Sequence, residues 1–170
     1  MIMDASVRLY TLYFDEAKTY MWASIFVVAN IVLPQLFHLI PQGGIMFSPL
    51  SLVIMAGAYK FGWRAALLAA VASPMVNHAL FGMPATGVMP LMMTKLAILA
   101  VVAGLAASYF KSANILVLIG VVLVTKAFGF LAEYLFTGGV AATIQDFTVG
   151  WPGLLLMVLG TFALLKLVKN

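Results

Sequence analysis

The sequence predicts an all-α integral membrane protein: a bundle of six transmembrane helices with both termini in the cytoplasm. Three observations lead there. Of 170 residues, 65% are hydrophobic and only 8% charged, where a soluble domain carries roughly a quarter of charged residues. A chain this short cannot hide that much apolar surface from water. The apolar residues also fall into six stretches, most of them near the ~20 residues a membrane helix needs. Finally, the basic residues alternate between connections in the way the positive-inside rule requires. This composition excludes a soluble enzyme and a disordered tail. With no cysteine there is no disulfide, thiolate metal site or cysteine nucleophile. The net charge of +4 is too scattered for a nucleic-acid partner.

The chain reads as a single membrane domain, 1–170, with spans near 20–40, 47–60, 63–82, 88–109, 113–136 and 149–167. Residues 1–19 carry Asp4, Arg8, Asp15, Glu16 and Lys18 among Tyr10, Tyr13 and Phe14. They are too charged for a signal-peptide core and read as an interfacial segment. Pro41, Gly43 and Gly44 end the first span, and Lys60, Gly62, Trp63 and Arg64 part the second from the third. Gly82, Pro84 and Gly87 end the third, Lys111 and Asn114 part the fourth from the fifth, and Gly138 and Gly139 open a polar connection to Pro152. Gly and Pro are the usual punctuation of such a chain. Six spans put Arg8, Lys18, Lys60, Arg64, Lys111, Lys166 and Lys169 on one side, and the alternate connections contain no Lys or Arg.

No P-loop, HExxH, GxSxG or calcium-loop motif occurs, and His38 and His78 have no metal-ligand spacing. Polar groups collect at the outer ends instead: Gln35, His38 and Gln42 in the first region, Asn77 and His78 in the second, Gln145, Asp146 and Trp151 in the third. Amides, imidazoles, a carboxylate and an indole around an apolar body make up a small-molecule site. Each also has a structural reading. The histidines cap helix ends, Asn77 satisfies backbone freed by Pro74, Asp146 caps the last helix and Trp151 anchors at the interface.

Lys95, Lys126 and Glu133 lie within spans, where a charge costs several kcal/mol unless it is paired or hydrated. Lys95 and Glu133 reach similar depth and are expected to pair, either to order the bundle or to meet a ligand. Lys126 is the deepest, and its long stem also allows it to snorkel towards the cytoplasm. Ala65, Ala69 and Ser73, and Ala100, Gly104 and Ser108, form small-xxx-small faces suited to close helix contact within the chain or with a partner.

The layout resembles the substrate-binding S components of energy-coupling factor (ECF) transporters. It is carried by Pro34 and Gln35 through Gly43 and Gly44, by Gly57 to Gly62, by Asn77 to Gly82, by Lys95 before a Gly/Ala-rich stretch, and by Gln145 to Gly153. The resemblance implies a high-affinity binding subunit, not an enzyme, in a prokaryotic inner or plasma membrane. It would capture a vitamin or similar micronutrient at the outer face under the first outer loop. It would then dock on a T component driven by two ATPase subunits. ATP would be used by those partners, and this chain would carry no cofactor. The AxxxA docking face common in the first span of such proteins is absent here. Two other readings stay open: an assembly subunit of a larger membrane complex, and a small membrane enzyme using Glu133, Asp146 and a histidine.

Overall fold

A computed structural model describes residues 4–5, 10–37 and 39–167, excluding the side chains of Asp4, Ala5, Ile45, Ala142 and Asp146. Eight helices account for most of it: α1 (Ala17–Phe37), α2 (Gly43–Phe47), α3 (Pro49–Phe61), α4 (Trp63–Phe81), α5 (Met89–Phe110), α6 (Ile115–Thr137), α7 (Ala141–Thr148) and α8 (Trp151–Leu167). Two short strands, β1 (Asp4–Ala5) and β2 (Ala113–Asn114), pair antiparallel. Helices α1, α4, α5 and α6 are long and apolar enough to cross a membrane. Their outward faces carry Val28, Val32, Leu123, Leu131 and Leu135, all exposed, where a soluble helix would present charged groups. The chain is an all-helical protein of membrane-embedded type.

The second expected span is helix α3, and the connection before it holds the short helix α2. Ser48 adopts the left-handed region at φ 42, ahead of Pro49, which opens α3. Proline suits that first position because its missing N–H would have no helical partner there. The result is a five-residue α2 and a thirteen-residue α3, the latter only about 20 Å long. The connection over 138–148 is also more ordered than its polarity indicates. Gly138 at φ 67 closes α6, and the chain turns directly into α7.

Small residues let the central helices approach. Ala65, Ala66, Ala69, Ala70 and Ser73 of α4 and Ala100, Ala103, Gly104 and Ala107 of α5 are buried. A Cβ on Gly104 would lie 2.6 Å from the Trp63 backbone nitrogen. The small-residue faces are therefore used inside the chain: Gly104 packs on Trp63 of α4, and Ser73 meets Asn30 of α1. Only Ser108 of the expected set is exposed.

Two kinds of structure occupy the two ends of the bundle. At the end holding Lys60, Arg64 and Lys111, the N-terminal segment is clasped. Tyr10 N donates to Lys60 O and Leu12 N to Phe61 O. Tyr10 stacks on Phe61, and the Arg64 guanidinium lies 4.5 Å from the Tyr13 ring centre. Tyr59 Oη donates to the Ser112 carbonyl at 2.6 Å, tying α3 to the α5–α6 turn. At the other end, α2, α7 and residues 82–88 surround two cavities.

Candidate functional site

The first cavity, about 280 Å³, sits among α3, α5, α6, α7 and α8. Its body is apolar: Leu91, Met92, Leu96, Leu99 and Met157 line it. Its polar groups are Lys95 from α5, Thr125 and Lys126 from α6, Thr143 and Gln145 from α7, and Ser48 and Ser51 at the α3 N-terminus. Helical spacing explains the α6 set. Thr125, Gly129 and Glu133 are spaced four apart, and Lys126 is three from Gly129, so they share a side of the helix.

Lys95 and Glu133 form the expected pair, with Nζ 3.0 Å from Oε2. The stem of Lys95 lies over Gly129, where an added Cβ would be 3.6 Å from its Cγ, in ordinary contact. Thr143 Oγ1 donates to the same Glu133 oxygen at 2.5 Å. The Glu133 side chain is only 2% exposed, that of Lys95 22%. So the carboxylate stands behind the lysine, and the lysine faces the cavity. Two partners holding one buried carboxylate offset its desolvation and tether α7 to α6. Thr125 is 7% exposed, and its Oγ1 has no hydrogen-bond partner, in a structure class where buried polar atoms are nearly always paired.

The second cavity, about 700 Å³, opens between the ends of α1 and α4 and the 39–44 turn. It contains Gln35, Gln42 and Asn77. Gln35 and Gln42 are exposed. Asn77 is occupied with backbone repair, but not at the position the sequence indicates. Pro34 has no N–H for the Asn30 carbonyl, four residues earlier. Asn77 Nδ2 donates to that carbonyl at 3.0 Å and also to Ser73 O at 2.9 Å. The helix mended is thus α1, at Pro34, and not α4 at Pro74. Asn30 Nδ2 in turn donates to Ser73 Oγ at 3.0 Å, so α1 and α4 are joined by a buried polar cluster.

The wall between the cavities is formed by Gly44 of α2, Leu50 of α3 and Met92 of α5, which line both. Helix α2 is gripped closely on each side. A Cβ on Gly43 would come 2.1 Å from Phe37 O, and one on Gly153 would come 2.6 Å from Met46 O. Phe37 and Phe47 rings, with centres 5.0 Å apart, close the turn.

The structure therefore divides the expected site residues. Lys95 and Gln145 line the first cavity and Glu133 backs it; Gln35, Gln42 and Asn77 line the second. His78 Nδ1 donates to the Pro84 carbonyl at 2.7 Å, pinning the turn after α4, and lines neither cavity. Trp151, exposed at the start of α8, lines neither as well. His38 and the Asp146 side chain lie outside the described residues. Thr125 and Thr143 are the additions. Neither belongs to a motif, and the one signal towards Thr143 is the Gly138–Gly139 turn, which folds α7 back towards Glu133. Among the described residues, no three His, Asp or Glu side chains gather to hold a metal ion. No family model, curated protein or solved structure matches the chain.

Proposed function

We propose that this protein is a membrane-embedded binding subunit for a small nutrient, the S component of an ECF-type importer. The observation that carries the reading is the first cavity. It has an apolar body and convergent polar groups, and short helices α2 and α7 lie over it at one end of an apolar bundle. Most small-molecule sites have that character. In this reading the long helices are joined by α2–α3 and by α8 as the second and sixth spans. The basic end, with Lys60, Arg64 and Lys111, faces the cytoplasm, and the cavities face outward. The protein then resides in a prokaryotic inner or plasma membrane. It hands a vitamin-like ligand to a T component powered by two ATPases and performs no chemistry itself.

Mass spectrometry of small molecules released by denaturing the detergent-purified protein tests this reading. One stoichiometric micronutrient is the expected result. An empty protein that also shows no thermal shift with a vitamin panel contradicts it and favours an assembly subunit.

A further inference from the structure

A threonine inside a helix commonly gives its hydroxyl proton to the carbonyl four residues earlier. Three helical threonines of this protein do so. Thr94 Oγ1 donates to Pro90 O at 2.8 Å, Thr137 Oγ1 to Glu133 O at 2.9 Å and Thr148 Oγ1 to Ile144 O at 2.9 Å. Thr143 gives its proton to the Glu133 carboxylate instead. Thr125, in the middle of α6, does neither. It is 7% exposed, it lines the first cavity, and among the described residues its Oγ1 has no hydrogen-bond partner. Buried polar atoms are nearly always paired, so this hydroxyl is an unused group in the wall of a chamber.

We propose that Thr125 is a specificity-determining residue of the first cavity, its hydroxyl donating to a carbonyl oxygen or ring nitrogen of the ligand; this rests on the binding-subunit reading above. The direction of the hydrogen bond follows from the helix. A threonine bonded back to its own helix has only lone pairs left to offer. Thr125 makes no such bond, so its proton is available and the group it meets is an acceptor. The hydroxyl and methyl of threonine exchange places in one step about χ1, and helical threonine populates two rotamers. A ligand in the chamber therefore draws the hydroxyl to the cavity surface without any movement of α6. Leu91, Leu96, Leu99 and Met157 make the surrounding walls apolar, and an acceptor buried among them is costly unless a donor meets it. The ligand is thus an apolar or aromatic body with a carbonyl or heterocyclic nitrogen turned towards the middle of α6. Thr161 gives an internal comparison: its Oγ1 is also buried without a partner among the described residues, yet it lines neither cavity.

The test combines equilibrium binding and thermal unfolding of the full chain in detergent, with Thr125→Val, Thr125→Ser and Thr161→Val beside wild type. The probe is the compound that denaturation releases from the purified protein. If none is released, it is whichever of biotin, riboflavin, nicotinamide, pyridoxine and thiamine raises the wild-type unfolding temperature. Valine keeps the shape of threonine and removes the hydroxyl. Ligand-free Thr125→Val should unfold at or above the wild-type temperature, because an unpaired polar group has left the interior, while its affinity for the probe falls about tenfold to hundredfold as the ligand's acceptor loses its donor. Thr125→Ser should retain most of the affinity, and Thr161→Val should bind as wild type does. Full affinity in Thr125→Val overturns the assignment and leaves the binding-subunit reading standing. A ligand-free Thr125→Val that is destabilised or does not fold also overturns it, because the hydroxyl is then a structural group. An equal loss of affinity in Thr161→Val, or a released compound with neither a carbonyl nor a ring nitrogen, does the same. If no compound is released and no probe binds, the binding-subunit reading falls, and the assignment with it.

Discussion

The two cavities share Gly44, Leu50 and Met92, yet they use polar side chains for different ends. In the cavity by α1 and α4, Asn77 repairs a carbonyl freed by Pro34, and Gln35 and Gln42 face outward. In the cavity by α5 and α6, two lysines and an unpartnered threonine line an apolar chamber, with a carboxylate buried behind them. A polar group inside a membrane bundle can mend backbone, pair with another side chain or line a chamber. Residue type does not tell these apart; burial and partnership do.

The largest effect that would break this contrast is expected at the ion pair. Lys95→Met leaves the Glu133 carboxylate buried opposite an apolar side chain and should destabilise the protein by about 3–5 kcal/mol. Adding Glu133→Gln should recover much of that loss, because the uncompensated charge is gone. Thermal unfolding of the single and double variants in detergent measures both. If the double variant is no better than the single one, the loss does not come from an uncompensated Glu133 charge at the α5–α6 contact.

The second cavity should respond in stability only. Asn77→Leu leaves the Asn30 carbonyl without its donor and is expected to cost about 1–3 kcal/mol, with ligand affinity per folded molecule unchanged. Calorimetry on the folded fraction separates the two quantities. The smallest effects belong to Gln35→Ala and Gln42→Ala. As exposed substitutions away from any buried partner, they should stay within about 0.5 kcal/mol and leave the dissociation constant within about twofold. A large loss of affinity in either would move the ligand to the second cavity.

Much of the architecture is legible in the sequence because lipid exposure leaves so strong a signature. Apolar length marks the long helices, and Gly82, Lys111 and Gly138 stand at their ends. The Lys95–Glu133 pair follows from depth alone. What escapes are features decided by packing. Gly43 and Gly44 read as a turn and Ser48–Pro49 as the start of a span, and only contacts with Phe37 on one side and α8 on the other seat α2 as part of a wall. Without that wall the outer polar residues merge into a single site. The repair by Asn77 is misplaced for a related reason. Pro74 is near in sequence, but the carbonyl within reach belongs to α1, forty-seven residues away.

The central claim is that ligand sits in the α5–α6 cavity, which Lys126 lines. The most direct measurement compares small molecules released on denaturation from the wild-type, Lys126→Met and Gln42→Ala proteins, purified in parallel. The account predicts one compound at equal stoichiometry from wild type and Gln42→Ala, and little or none from a folded Lys126→Met. Full retention by Lys126→Met, or loss in Gln42→Ala alone, would contradict it.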